Sequence, residues 1–273
     1  MPAPDAYSID QLNKLIGTGR CPLILDVRDA EDFAADPRVV PGAEWLGDDD
    51  PIAIARARGL QPIAVMCQKG QKRAQGKAAL LRAEGFAAQY VEGGFLGWKA
   101  AGQPVIDPVN LPKRDAQGRT VWVTRNRPKI DRIACPWLIR RFLDPRAVFL
   151  FVGASEVQAV ADLTGAAPFD IEGVSLSHRG EFCSFDAMLE VFGLGLPALD
   201  TIAQIVRGAD TARPDLAPEA AGLLAISLGL SRMYSDDLEQ LEAALPVYDA
   251  LYRWARDAQN EAHDWPAGKG AKP

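Results

Sequence analysis

The chain has 273 residues, 48% of them hydrophobic and 24% charged, with a formal net charge of -6; this is enough apolar material for one large core or two ordinary ones, and it excludes a disordered chain. No apolar stretch approaches the roughly 18 residues a membrane helix needs, and the N-terminal MPAPDAYSID has an early acid without a basic or apolar leader, so the sequence predicts a soluble, cytoplasmic protein with no membrane partner. Four scattered cysteines, Cys21, Cys67, Cys135 and Cys183, form no CxxC pair and argue against both a disulfide framework and a cysteine-only zinc knuckle.

In chain order, Ser8 caps a helix through SIDQLNKLIG, LILDV reads as a strand, a loop ends in VVPGAEW, PIAIARARGL reads as a helix and PIAVMC as a second strand. After Cys67 come a helix starting near Arg73 (RAQGKAALLRAEG), the short run AAQYV and the helix GGFLGWKAAG. Strand alternating with helix predicts an α/β domain, a doubly wound parallel sheet over residues 1–107. Ligands of such sheets bind beyond the carboxyl ends of the strands, and Cys67 falls at one of these ends.

The stretch VMCQKGQKRAQG surrounds Cys67 with Gln68, Lys69, Gly70, Gln71, Lys72 and Arg73. A thiol does chemistry as thiolate, which is favoured by a helix N-terminus and by nearby cations; here the helix after the loop, Lys69, Lys72 and Arg73 supply both. Gly70 lets the backbone curl so that successive amides face one centre, a nest for an anion or a persulfide sulfur. The alternative is an inert strand-end cysteine among solvated lysines.

LILDVRDAEDF, VVPGAEW, VMCQKGQKRAQGKAALLRAEGF and YVEGGFLGWKAAGQPV, in this order, resemble the rhodanese-like domain over residues 5–107. The resemblance implies a sulfurtransferase without a cofactor: Cys67 takes a sulfane sulfur from a small donor such as thiosulfate, holds it as a persulfide and passes it to a thiol acceptor or cyanide. Lys69 and Lys72 would bind the anionic end of the donor and Arg73 would position it, while Asp26 in DVR, with Arg28, would be a structural anchor near the loop. Many rhodaneses read C-x-x-G-x-R, whereas here position five after the cysteine is Lys72 and the arginine follows, giving C-x5-R. That spacing also resembles phosphatases and some arsenate reductases, whose loops hold a tetrahedral oxyanion that an arginine fork can grip. Met66 stands where phosphatases usually have histidine.

Residues 108–118, within PVNLPKRDAQGR, are polar, proline-containing and without apolar period, which predicts a linker. Beyond it, over residues 119–265, TVWVTR and AVFLFV read as strands, the second apolar enough to be central. IDRIACPWLIRRFL between them is helical by period, with Pro136 in its first turn or kinking it. FDAMLEVFG, PALDTIAQIVRG, PEAAGLLAISLG and a long segment from Asp236 to about His263 are helical, so the second domain reads as α+β with a mainly helical C-terminal part; residues 266–273 read as a disordered tail. Charge is uneven: residues 113–146 hold ten Lys and Arg against three Asp, and residues 147–273 hold eight against nineteen acids. The basic stretch could attract nucleic acid or a small oxyanion, but its cations are also those that would pair with the acidic half.

TVWVTRNRPKIDRIACPWLIRRFLDP, PFDIEGVSLSHRGEFCSFDAMLEVFGL and AQIVRGADT followed by LAPEAAGLLAISLGL resemble the C-terminal domain of the chromate-resistance protein ChrB, over about residues 119–257. The resemblance implies a role in chromate resistance or its regulation, without supplying a reaction. From the residues alone, His178, Glu181, Cys183 and Asp186 in SHRGEFCSFD, with Asp210 in RGADT, are candidate metal ligands; His178, Glu181, Asp186 and Asp210 would suit iron, manganese or zinc. The alternative is structural, with Asp186 as a helix cap and Asp210 paired to Arg207 or Arg213. Arg125, Arg127, Lys129 and Arg132 in RNRPKIDR form a candidate cluster for chromate or another oxyanion. Nucleic acid is not expected, because no helix-turn-helix or zinc-finger pattern occurs and the acidic remainder would repel phosphates. Cys135 reads as packed, and the last helix as core first and a homodimer face second. The competing class for the whole chain is an oxyanion or redox sensor without turnover; a third reading makes the second domain a metal-dependent redox enzyme.

Overall fold

The structure, a computed structural model, describes residues 3–59 and 62–261. In the first half the chain runs β1 (Ala6–Tyr7), α1 (Ile9–Leu15), β2 (Leu23–Asp26), α2 (Ala30–Ala35), β3 (Ala43–Trp45), α3 (Pro51–Arg58), β4 (Ile63–Met66), α4 (Lys72–Ala83), β5 (Ala88–Val91) and α5 (Gly94–Ala100). Helix α1 starts on a capping box in which Ser8 and Gln11 satisfy each other's backbone amides. Asp29 and Asp50 cap α2 and α3 in the same way, through single side-chain acceptors.

The five strands form one parallel sheet in the order β1-β5-β4-β2-β3. The middle strand β4 is buried along its whole length. Its alternation sends Ala64 and Met66 to one apolar cluster, with Leu12, Phe95 and Trp98, and Ile63 and Val65 to another, with Ala74, Ala78 and Leu81. Helices therefore cover both faces, as the sequence pattern predicts. Helix α2 and strand β3 lie inside the stretch read from sequence as a loop ending in VVPGAEW.

The second half comprises β6 (Val121–Arg125), α6 (Asp131–Leu138), β7 (Val148–Val152), α7 (Val157–Thr164), β8 (Ala167–Pro168), α8 (Ser184–Phe192), α9 (Pro197–Asp210), α10 (Ala220–Met233) and α11 (Asp237–Asp257). Its sheet is parallel, in the order β7-β6-β8. AVFLFV is thus an edge strand and β6 the central one, contrary to the sequence reading. Its apolar run has a different cause: Phe149 faces the helical core while Leu150 and Val152 face the cluster beneath α7, so this edge is covered on both sides. Pro136 sits inside α6, beyond its first turn. The helix then widens into a single π-helical turn, Ile139–Leu143, closed by Asp144 N–H donating to the Ile139 carbonyl at 2.8 Å. Helix α11 buries Leu241, Ala244, Leu245, Tyr248 and Tyr252, which makes it core. The expected continuation to His263 and the tail at 266–273 lie outside the described residues.

The segment between the halves is pinned. Asp115 accepts the backbone amides of Gln117 and Arg119, and Arg146 donates to the carbonyls of Gln117 and Gly118. Buried Asp144 accepts both the amide and the hydroxyl of Thr120. The halves also touch directly. Gly42 N–H donates to the Phe142 carbonyl at 2.8 Å, Arg256 donates to the Lys14 carbonyl, and a Cβ at Gly17 would lie 2.5 Å from the Tyr252 ring and 2.6 Å from that of Phe142. One apolar cluster runs through both, from Leu12 and Trp98 to Trp137, Phe142 and Tyr252. No described helix is long and apolar enough to cross a membrane.

Candidate functional site

Cys67 follows the last residue of β4 and is 6% exposed. Its carbonyl accepts the Phe95 amide at 2.9 Å, and the Gln68 carbonyl accepts that of Leu96 at 3.0 Å, so the start of α5 holds the loop from one side. On the other side α4 begins at Lys72 with Gln71 at its N-cap, which makes no side-chain capping hydrogen bond. The first-turn amides of α4 are therefore left facing the loop, a partial positive charge next to the sulfur.

The loop closes on two glycines. Gly70 has φ 66°, and a Cβ there would lie 2.3 Å from the Val91 carbonyl oxygen; one at Gly94 would lie 2.2 Å from the Cys67 carbonyl oxygen and 2.4 Å from the Gly70 amide nitrogen. Gly94 and Phe95 were not singled out from sequence, although the Gly93-Gly94 pair marks such a close approach. Lys69, Gln71 and Lys72 are exposed and Gln68 half-buried, with its Oε1 buried and without a hydrogen-bond partner. Arg73 is exposed and its guanidinium pairs with Asp29 at 3.5 Å.

Asp26 and Arg28 form the frame behind this loop. Both are buried, and Arg28 donates to Asp26 through Nε at 2.8 Å and Nη2 at 2.6 Å, then to the carbonyls of Asp36 and Arg38 at 2.7 Å each. The guanidinium also lies 3.8 Å over the centre of the Phe95 ring. Desolvation raises the Asp26 pKa despite this pairing, the usual penalty for an ion pair taken out of water. Through Phe95, whose amide holds the Cys67 carbonyl, the pair is mechanically connected to the cysteine loop.

In the second half the structure brings together two of the four predicted metal ligands and adds two others. His178 Nε2 lies 3.5 Å from Asp131 Oδ2, 3.4 Å from Asp170 Oδ1 and 3.2 Å from Asp210 Oδ2. Asp131, the first residue of α6, is 1% exposed and accepts the amides of Ser184 and Phe185 at the start of α8. Asp170, just after β8, is 4% exposed and accepts Ser184 Oγ–H and Arg125 Nη2–H. Burial, with the charges of Asp210 and Asp170, pushes the Asp131 carboxyl well above its ordinary range, and burial with Asp170 raises Asp210. Glu181 is exposed outside the group, and Asp186 is occupied elsewhere, accepting the Cys183 amide as a cap and pairing with Arg207 at 3.0 Å. The structural role considered for Asp186 is thus realised, whereas Asp210 faces His178 instead of Arg207.

The predicted oxyanion cluster does not converge. Arg125 and Arg132 pair with Asp170 at 2.9 and 3.2 Å, Arg127 donates to the carbonyls of Ser231 and Tyr234, and Lys129 is exposed. Four of the ten cations of the basic stretch pair with the acidic half, Arg125 and Arg132 with Asp170, Arg140 with Glu242 and Arg141 with Asp249, while Arg114 and Arg119 pair within the stretch and Arg146 with Glu44. Cys135 and Cys183 are fully buried, which pushes both thiols up, and burial also pushes Cys21 up to about 12.

A parallel five-stranded sheet with a cysteine loop at its central strand, followed by a small parallel sheet under a helical layer, defines a rhodanese-like domain joined to a second domain. Residues 8–101 match the rhodanese-like domain family and residues 122–255 match the ChrB C-terminal domain family. Protein ChrB of Cupriavidus metallidurans is 30% identical over 244 residues, covering 83% of this chain and 72% of that protein. The chain belongs to the ChrB family. Among solved structures, thiosulfate sulfurtransferase from Pseudomonas aeruginosa is similar at 24% identity over 39% of this chain and 20% of that one, with a TM-score of 0.33. A rhodanese-like domain protein from Staphylococcus aureus is similar at 24% identity over 34% of this chain and 90% of its own, with a TM-score of 0.30.

Proposed function

We propose that the chain is a sulfurtransferase acting through Cys67, working in chromate resistance or its regulation, to which its second domain links it. The Cys67 sulfur attacks the outer sulfur of thiosulfate; the S–S bond of the donor breaks, sulfite leaves with its electron pair, and a Cys67 persulfide forms. A thiol or cyanide then attacks the outer sulfur and returns Cys67 as thiolate. No net oxidation occurs, so no cofactor is required. The observation that carries this reading is the position of Cys67 at the end of the central strand, facing the uncapped first turn of α4, on a loop closed by Gly70 and Gly94. Exposed Lys69 and Lys72 stand beside it as landing points for a dianionic donor. The C-x5-R oxyanion reading is less favoured, because the Arg73 guanidinium is paired with Asp29.

The test is thiocyanate release from thiosulfate and cyanide. Wild type is expected to turn over and Cys67→Ser to fall by roughly a hundredfold or more, since the hydroxyl cannot carry the sulfane sulfur. Absence of release by the wild type with any sulfane donor would leave the sensor reading in its place.

A further inference from the structure

We propose that Asp131, Asp170 and His178 form a binding site for one divalent first-row transition-metal ion. The proposal rests on residues separate from the cysteine loop and stands independently of sulfur transfer. The three side chains come from three segments, the start of α6, the turn after β8 and the loop before α8, and Asp210 at the end of α9 lies 3.2 Å from His178 Nε2 beside them. They meet beyond the carboxyl ends of β6 and β8, the end of a parallel sheet where ligands bind.

One ligand atom from each of Asp131, Asp170 and His178 lies within 4.8 Å of the other two, close enough to share one ion. One imidazole N–H can point at one acceptor, yet His178 Nε2 has three carboxylate oxygens at 3.2, 3.4 and 3.5 Å, and none of the three contacts has hydrogen-bond geometry. Ligands about 2.1 Å from a tetrahedral metal lie about 3.4 Å from one another, because the edge of a tetrahedron is about 1.6 times its radius. Charge points the same way. Asp131 has no Lys or Arg partner among the described residues, and the arginines nearby, Arg125 and Arg132, pair with Asp170 alone. A carboxylate as buried as Asp131, with no Lys or Arg partner, calls for a cation beside it.

The outer contacts are those that orient ligands. The amides of Ser184 and Phe185 fix Asp131, while Ser184 Oγ and Arg125 fix Asp170. His178 is 40% exposed, and with Asp170 and Ser177 it lines a surface cavity of about 450 Å³ through which an ion could enter. Two carboxylates and one imidazole suit Mn(II), Fe(II) or Zn(II); the thiols of Cys135 and Cys183 are fully buried and lie outside the group, so they add no soft ligand.

The test uses the full chain, stripped with a chelator and titrated with Mn(II) or with Zn(II) by calorimetry, followed by metal analysis after desalting. Because Asp131 also holds the start of α8, the variants are His178→Ala, whose side chain is partly exposed, and Asp170→Asn, which keeps the shape of the buried side chain. One equivalent of ion per wild-type chain is expected, with affinity at least about tenfold lower in each variant while far-UV circular dichroism and Cys67-dependent thiocyanate release are unchanged. Wild type that binds neither ion, or variants that bind as tightly as wild type, would overturn the proposal. A His178→Ala variant that loses thermal stability while wild type binds neither ion would identify the group as a plain imidazolium ion pair.

Discussion

Gly70 and Gly94 press backbone against backbone beneath Cys67, and neither position has room for a methyl group. Gly70→Ala would combine a left-handed φ with overlap against the Val91 carbonyl, a rigid neighbour. The expected cost is about 2–4 kcal/mol, read as a lower urea midpoint at constant slope; an unchanged midpoint would mean that the loop relaxes freely. This glycine was legible in the sequence because the loop chemistry is contiguous, with nucleophile, cations and turn residue within seven positions. The His178 group was only half legible for the opposite reason. Glu181 and Asp186 are its neighbours in sequence, yet a cap and a loop direction carry them elsewhere, whereas Asp131 reads as an ordinary first-turn acid and Asp170 as a turn residue. Only the packing of α6 against α8 brings them to the imidazole.

Between elements, Asp36 at the end of α2 ties its neighbour Arg38 and Lys99 of α5 together. The Arg38 hydrogen bond, with that of Lys99, holds the Asp36 carboxyl well below the usual carboxylate range. A carboxylate with a depressed folded-state pKa contributes stability that is fully present above its unfolded pKa, about 3.9, and is lost as the pH falls below that toward the folded value. Asp36→Asn is therefore expected to destabilise the chain at pH 7 by about 1 kcal/mol, the scale of a partly exposed pair, and by progressively less below about pH 4. A pH-independent difference in thermal midpoint would refute the assignment. Elements with a clear period or a cap, such as α1, α4 and β4, were readable from sequence. Helix α2, with six residues, carries too short a period to register, and the edge position of β7 was hidden because α7 buries its second face. The mid-helix position of Pro136 depends on tertiary packing that surrounds α6 with apolar residues.

At the scale of the whole molecule, the apolar cluster continuous from Trp98 to Tyr252 couples the two halves. Urea unfolding of the full chain is expected to be a single transition, with far-UV and near-UV signals sharing one midpoint. Two separated midpoints would mean that each half stands alone. Within the second half, Arg140 pairs with Glu242 and Arg141 with Asp249, so part of the basic stretch is neutralised inside the chain.

The join at Gly42 carries one more implication. The carbonyl of Phe142, inside the widened turn that follows Pro136, is free to accept a donor from the other half, and the donor is a main-chain amide on a glycine with φ 74°. A weld made of peptide groups does not depend on which side chains surround it. The seam can therefore outlast extensive drift of the surfaces on either side, provided the glycine and the extra residue in the helix are kept.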